Sequence, residues 1–162
     1  MTTLWVLIAQ IMASTTMAAI AWFVQMVHYP LFALVSSSGS TTSEVAGMSP
    51  ATARDYHDEN LRRTRPIVLF PMVVEAASAA WLAFFPPAAV GRGAAIAGLS
   101  LVAIVVVSTA LVQVPLHESL RSGDAPADTV KRLVRSTRIR TAAWTARAML
   151  AAWMIHATAV AG

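Results

Sequence analysis

One absence and one shortage exclude whole classes of protein for this chain of 162 residues. The chain has no cysteine, which excludes a disulfide framework and any thiolate metal site. Charged residues make up only 12% of it, about half the proportion in an ordinary soluble domain, while hydrophobic residues make up 57%. The apolar content excludes intrinsic disorder, and the shortage of charge argues against a water-soluble fold.

Four long apolar stretches take up most of the chain. They cover approximately residues 4–34, 66–85, 93–116 and 141–160, close to the roughly 20 residues that a helix needs to cross a bilayer. The first and third contain no Asp, Glu, Lys or Arg, whereas the second contains Glu75 and the fourth contains Arg147. We therefore predict an all-α fold, an integral membrane four-helix bundle that forms a single domain over residues 1–162.

The basic residues predict the orientation of this bundle. The loops 36–65 and 117–140 contain ten Lys and Arg residues, whereas the opposite side contains only Arg92. Cytoplasmic loops carry such an excess, so we predict that both loops are cytoplasmic and both termini lie outside the inner membrane. The first stretch lacks a basic start and is too long for a cleaved signal peptide. The net charge of +4 thus reflects topology, and we expect no nucleic-acid partner.

The segments between the spans have distinct compositions. Residues 36–50 are rich in Ser, Thr and Gly, which predicts a flexible loop, and 86–93 predicts a tight turn. Spans two and four are expected to begin early, as basic helical turns over 51–65 and 128–140. Residues 61–65 resemble 134–138, and 25–31 resemble 113–117, so two helical hairpins related by a rough twofold axis are one interpretation.

Three histidines lie near the predicted cytoplasmic face. His28 closes span one, His57 opens helix two and His117 closes span three, while His156 lies at the outer end of span four. Three imidazoles from three helices could hold a transition metal or a haem. A metal-free acid–base cluster is an alternative, and a third is that these side chains only mark the membrane interface.

A buried acid and a buried base lie at matching depths. Glu75 is about 13 Å beyond Pro66 and Arg147 about 10 Å beyond Arg140, at 1.5 Å per helical residue. Each would otherwise be an uncompensated charge, so we expect an ion pair, or a short network that also includes Gln25 and Gln113. The pair is either structural or catalytic, with Glu75 as base and Arg147 as the anchor of an enolic oxygen.

Three short motifs support a family resemblance. The ending of span one (27–32, VHYPLF), the ending of span three (114–120, VPLHESL) and the stretch 138–147 (RIRTAAWTAR) resemble the anthrone oxygenase-like family of small membrane proteins. The resemblance implies four membrane helices and, for some members, oxidation of aromatic polyketides by molecular oxygen. That family typically ends span three with an Asn-x-Pro-x-Asn-like element, where this chain has Gln113, Pro115 and His117.

The resulting functional hypothesis is an oxygenase-type membrane oxidoreductase. Its substrate is expected to be a lipophilic aromatic or enolic molecule bound in a cavity that opens toward the cytoplasm. Candidate catalytic residues are Glu75, Arg147 and Gln113, and candidate ligands of a metal or haem are His28, His57 and His117. The alternative hypothesis is a non-enzymatic transporter, scaffold or complex subunit, in which the Glu75–Arg147 pair only holds the bundle together.

Overall fold

The computed structural model describes residues 2–28, 30–31, 50–122 and 129–161, without the side chains of 50–58, 61, 120–122 and 130–131. Apart from the turn at 85–90 and Ala161, all of these residues are helical, which confirms the predicted all-α fold. The elements are α1 (Thr2–Phe23), the π-helical turn π1 (Val24–His28), α2 (Pro50–Phe84), α3 (Gly91–Ser108), the π-helical turn π2 (Thr109–Gln113), α4 (Val114–Ser122) and α5 (Thr129–Val160). Since π2 joins α3 to α4, the described residues form four helical rods.

The early starts of the second and fourth rods are confirmed, because α2 begins at Pro50 and α5 at Thr129. The third rod continues past its apolar stretch to Ser122, where the sequence predicts that it ends. The start of the predicted loop 117–140 is therefore helical. The reason is local, since no glycine or proline follows Pro115 until Gly123.

The predicted turn after α2 is also confirmed. The backbone N–H groups of Val90 and Gly91 donate to the carbonyl oxygen of Pro87, at 3.0 and 3.1 Å. Gly91 has a φ of 70°, a conformation that costs glycine little because it has no Cβ. The chain thereby reverses direction between α2 and α3.

The four rods form a bundle in which α1 and α3 each pack against both α2 and α5. Helices α1 and α5 are antiparallel: the Thr141 hydroxyl donates to the Ala21 carbonyl, while Leu7 and Met154 share a cluster farther along. We call the end where α1 and α4 finish and α2 and α5 begin the basic end. The opposite end, which contains the turn at 85–90, is the far end.

Two apolar clusters fill the interior at different depths. The far-end cluster consists of Leu7, Leu82, Val90, Ala95 and Met154. The Trp144 cluster, nearer the basic end, consists of Met17, Ala21, Val105, Ala143 and Trp144, with Val68, Met72 and Leu101 packed against it. All four rods contribute to the Trp144 cluster or to its immediate packing.

Within the part of the chain that the structure describes, three helical segments are long and apolar enough to cross a membrane, namely Thr2–His28, Arg62–Phe84 and Gly91–Ser119. Helix α5 is not among them, although it was predicted to be the fourth span. Arg147, His156 and several threonines lower its hydropathy. The most polar of these groups is hidden within the bundle, since Arg147 is buried between the neighbouring rods.

The two π turns have a common cause in the sequence. Each ends two residues before a proline, π1 before Pro30 and π2 before Pro115. Proline has no N–H for the carbonyl four residues earlier and its ring clashes there, so a helix adjusts just upstream. The extra residue in π2 also explains why buried Gln113 follows buried Val105 by eight residues, whereas a regular α-helix returns to one face after seven.

Candidate functional site

A cleft of about 230 Å³ lies between the rods at the basic end. Its walls come from α1 with π1, from α2, from α4 and from α5. The polar residues that line it are His28, Asn60, Thr64, His117, Thr137 and Arg140, and the apolar ones are Met17, Ile20, Ala21, Phe23, Val24, Val68 and Leu133. The cleft is thus mainly apolar, with a small set of polar groups that can orient a ligand.

The structure brings two of the three predicted histidines to this cleft. His28 is the last residue of π1 and His117 lies on α4, one turn beyond π2, and both line the cleft. His57 lies on α2, but its side chain is outside the described residues. His156 is exposed near the end of α5 that lies away from the cleft, as predicted.

The metal hypothesis depends on how these groups cluster. Among the side chains that the structure describes, no group of three or more His, Asp and Glu is placed to hold a metal ion. The described part of the predicted ligand set is therefore the pair His28 and His117. Imidazole nitrogens of this kind suit a transition metal, and they equally suit proton transfer without one.

Arg140 is a cleft residue to which sequence reasoning gave no role. It lies on α5, one turn before Trp144, and lines the cleft. The four-then-three spacing of Arg140, Trp144 and Arg147 is the signal that identifies this inward face. A cation at this position favours an anionic or enolic oxygen on a bound molecule.

Glu75 and Arg147 form the predicted ion pair deeper in the bundle. Arg147 Nε lies 2.5 Å from Glu75 Oε1, and the two side chains are 1% and 0% exposed. On α2, Glu75 follows Met72, which packs against the Trp144 cluster, and precedes Leu82 of the far-end cluster. The pair therefore lies between the two apolar clusters, and neither residue lines the cleft.

Gly98 makes room for the guanidinium of Arg147. A Cβ placed on Gly98 would lie 2.6 Å from Arg147 Nη1 and 3.0 Å from its Cζ, which is closer than real Cβ contacts allow. Only the absence of a side chain at this position of α3 lets the two helices hold the cation between them. Sequence reasoning missed Gly98, because one glycine in an apolar run gives no signal of its own.

Helix α1 adds two further polar groups at this depth. Gln10 and Ser14 are both fully buried, and the Ser14 hydroxyl donates to the Gln10 carbonyl at 2.8 Å. They lie between Leu7 of the far-end cluster and Met17 of the Trp144 cluster. We call Gln10, Ser14, Glu75, Ser78 and Arg147 the polar layer.

The polar layer is only partly satisfied. Neither amide atom of Gln10 has a hydrogen-bond partner within the described residues, and the same holds for Glu75 Oε2 and Arg147 Nη1. Sequence reasoning missed Gln10, since a single amide in a long apolar span is unremarkable. The heptad-like spacing of Leu7, Gln10, Ser14 and Met17, which places Gln10 on the buried face, could have identified it.

Gln113 does not join the ion pair. Its Nε2 donates to Ser136 Oγ at 2.7 Å and to Thr137 Oγ1 at 3.3 Å, both on α5 near the basic end. Of the two expected arrangements, the ion pair is therefore confirmed and the wider network with Gln113 is wrong, because this amide lies about three turns nearer the basic end, beside the cleft wall. Gln25 lies on π1 and is partly buried.

An exposed charge cluster lies at the basic end of α2. Glu59 accepts hydrogen bonds from Arg62 and Arg63, at 2.7 and 2.6 Å, across one helical turn. Hydrogen bonds from Arg62 and then Arg63 lower the pKa of the Glu59 carboxyl from 4.5 to about 2. The carboxylate thus neutralises part of the basic turn that precedes the apolar part of α2.

Comparisons of the chain with family models, with curated proteins and with solved structures find no match. The resemblance to the anthrone oxygenase-like family accordingly depends on the three sequence motifs alone. What the structure adds is the placement of one residue from each motif, since His28, His117 and Arg140 line one cleft. The function of that cleft has to be argued from its own chemistry.

Proposed function

We propose that the protein is a four-span protein of the inner membrane, with both termini outside and the basic end in the cytoplasm. Three apolar helical segments support this proposal, as does a surface rich in large apolar side chains such as Phe70, Phe84 and Leu111, each more than 70% exposed. Helix α5 would be the fourth span because its one charged residue beyond 140, Arg147, is paired inside the bundle. The ten basic residues of the two loops supply the orientation.

We further propose that the protein is an oxygenase-type oxidoreductase that acts on a lipophilic phenolic or enolic molecule in the cleft. The observation that carries this proposal is that His28, His117 and Arg140 line one cleft whose walls are mainly apolar. A substrate oxygen at Arg140 would have its anionic form stabilised, and the imidazole of His28 or His117 would accept the proton.

The overall reaction is balanced by molecular oxygen alone. In the keto tautomer of an enolic substrate, a ring CH₂ group becomes a carbonyl that receives one oxygen atom. In a phenol, the para carbon receives that oxygen atom, and loss of its hydrogen and of the hydroxyl hydrogen gives a quinone. The second oxygen atom leaves as water with the two hydrogens. Four electrons pass from the substrate to O₂, so that no further reductant is needed. Within this scheme, the protein binds the anion, holds its proton and excludes bulk water.

Alternatively, a metal held by His28, His57 and His117 would supply oxygen activation at the same place, and these imidazoles would then act as ligands instead of accepting the proton. The lining of one cleft by His28 and His117 supports this alternative. Elemental analysis and an absorption spectrum of the purified protein test the proposal directly. A stoichiometric transition metal or haem that is lost in His57→Ala or His117→Ala supports ligation, and its retention in both variants contradicts it.

Oxygen consumption tests the proposed reaction. The purified protein is incubated with 2-decylphenol in air, and the rate without protein is subtracted. We expect uptake of oxygen and formation of the quinone, with a loss of about 100-fold or more in His28→Ala and His117→Ala. His156→Ala is the matched control, since this histidine is exposed and remote from the cleft. Equal rates in all variants, or no uptake with this probe, would contradict the proposal.

A non-enzymatic scaffold, transporter or subunit is the second candidate. It is favoured by the position of Glu75 and Arg147, which are buried outside the cleft lining and on the other side of the Trp144 cluster. At that position the pair can fix the register of α2 against α5 without touching a ligand. The catalytic roles predicted for Glu75 and Arg147 remain a prediction, and the double variant described below tests them.

A further inference from the structure

We propose that the cleft is built for a single aromatic or enolic ring that carries an apolar tail, and that such molecules enter it sideways from the lipid. This inference rests on the proposed function, because it names the substrate class of the same site. It differs from it in predicting size, shape and route of entry. Three observations support it, namely the volume of the cleft, the exposure of its α1 wall and the position of Arg140 at its inner end.

The volume sets the number of rings. The cleft measures about 230 Å³, whereas pockets that enclose drug-sized ligands measure about 300–1,000 Å³. An engineered cavity of about 150 Å³ takes up one benzene. One substituted ring therefore fits the cleft, and we expect a fused three-ring system to fit it poorly. The remainder of a larger molecule would therefore have to lie outside the cleft.

The α1 wall shows where that remainder can lie. Phe23 lines the cleft and is nevertheless 61% exposed, so that this wall reaches the surface of the bundle. Its neighbours on that surface are also apolar, since Trp22 and Met26 are 47% and 64% exposed. In a bilayer this surface faces lipid, and an apolar tail that passes Phe23 stays in hydrocarbon.

The position of Arg140 orients the molecule. On α5, Leu133, Thr137 and Arg140 line the cleft in this order from the basic end inward, so that Arg140 lies at its inner end. A substrate oxygen that contacts Arg140 therefore lies inside the cleft, and the tail leaves the cleft past the exposed Phe23.

Binding under argon tests the inference without requiring turnover. The probes are 2-decylphenol, its short analogue 2-methylphenol and a decyl-substituted anthracenol, and the bound molecules are counted by native mass spectrometry of detergent-purified protein. We expect one 2-decylphenol per protein, and binding weaker by about tenfold or more for the anthracenol, which is too large, and for 2-methylphenol, which lacks the tail.

Two pairs of variants locate the bound molecule. Thr64→Phe fills the cleft and should abolish binding of 2-decylphenol, whereas Val73→Phe, on the exposed face of α2, should not. Arg140→Gln removes the cation and should weaken binding by about tenfold. Its control, Arg138→Gln, changes an exposed residue of the same helix that does not line the cleft.

The outcomes separate this inference from the proposed function. Binding of 2-decylphenol that is sensitive to Arg140→Gln, without any oxygen consumption in air, supports the inference and contradicts the oxygenase. Equal binding of the anthracenol and of 2-decylphenol overturns the inference, whatever the activity. Binding that is unchanged in both Thr64→Phe and Arg140→Gln overturns it as well, because the molecule would then lie elsewhere.

Discussion

Gly98 and Arg147 depend on each other at atomic distances. A Cβ on Gly98 would lie 2.6 Å from Arg147 Nη1, and the guanidinium cannot move far while it is paired with Glu75. We expect Gly98→Ala to destabilise the fold by about 1–3 kcal/mol, the usual cost of overpacking a filled interior. Thermal or denaturant unfolding in detergent measures the effect.

Gly93→Ala is the matched control for this prediction. Gly93 lies on the same helix, but a Cβ there meets nothing within 4 Å. Alanine has the higher helix propensity, so this change should be neutral or stabilising by up to about 1 kcal/mol. If Gly93→Ala and Gly98→Ala lower the unfolding temperature equally, the contact with Arg147 is not the cause.

The ion pair between Glu75 and Arg147 predicts a non-additive effect. Either Glu75→Leu or Arg147→Met leaves one buried charge unpaired and should destabilise by about 3–5 kcal/mol. The double variant removes both charges from the interior, so its stability should be close to that of the natural chain or higher. Unfolding of the three variants gives the coupling free energy, and additive losses would contradict the pairing.

The same double variant separates the two candidate functions. A folded double variant that retains oxygen consumption assigns the pair a structural role. A folded double variant without activity assigns it a part in the reaction, as base and anchor or through the shape of the cleft. The double variant also removes buried atoms of Glu75 and Arg147 that lack a hydrogen-bond partner within the described residues. We therefore expect it to be more stable whether the pair is structural or catalytic, so stability alone does not separate the two roles.

At the scale of helices, the exposed cluster at the start of α2 predicts a pH dependence. The folded-state pKa of Glu59 lies at about 2, below its ordinary value of 4.5. The interaction with Arg62 and Arg63 therefore stabilises α2 above about pH 4.5 and is lost as the pH falls toward 2. Carboxyl NMR titration of glutamate-labelled protein measures this, and Arg62→Gln with Arg63→Gln should return the pKa toward 4.5.

The π turn π2 predicts an unusual tolerance of deletion. Because π2 holds one extra residue, removal of exposed Leu111 should yield a regular α-helix that keeps Gly98 and Gln113 on the inner face. Removal of exposed Ile104, in the regular part of α3, should instead rotate every following residue by about 100°. We expect the first deletion to fold and the second to unfold, as followed by tryptophan fluorescence. If both deletion variants unfold, π2 does not hold an extra residue that the bundle can lose, and this prediction is wrong.

The sequence predicted the elements better than their internal irregularities. Four apolar stretches gave four rods, and the basic turns gave the early starts of α2 and α5, because hydrophobic length and charge are properties of local sequence. The π turns were missed although Pro30 and Pro115 mark them, since a proline near a helix end usually signals only the end. That error matters for Gln113, whose inward direction depends on the extra residue.

Prediction of the site was limited in a similar way. Matching depth was enough to pair Glu75 with Arg147, because helical rise converts sequence position into depth. It was not enough to place Gln113 beside Ser136, or to recognise Gly98, since both depend on contacts between helices that are distant in sequence. The cleft itself arises from four rods together, and no single stretch of sequence encodes it.

At the scale of the whole molecule, the absence of cysteine makes the proposed orientation directly testable. Single cysteines at Thr2 and Ala161, both exposed, mark the termini, and one at exposed Arg132 marks the second basic loop. On intact cells, a membrane-impermeant maleimide should label Thr2→Cys and Ala161→Cys but not Arg132→Cys. After the cells are opened, all three should react. Labelling of Arg132→Cys alone on intact cells would reverse the orientation.

The Trp144 cluster has a consequence for the cell that contains this protein. Met17, Ala21, Val105 and Trp144 close the bundle between the cleft and the polar layer, and every rod contributes to the cluster or its packing. In a bilayer, the described interior would therefore hold polar groups at two depths with an apolar barrier between them. The bundle would act as an electrical insulator, and a cell could accumulate many copies without dissipating its proton gradient.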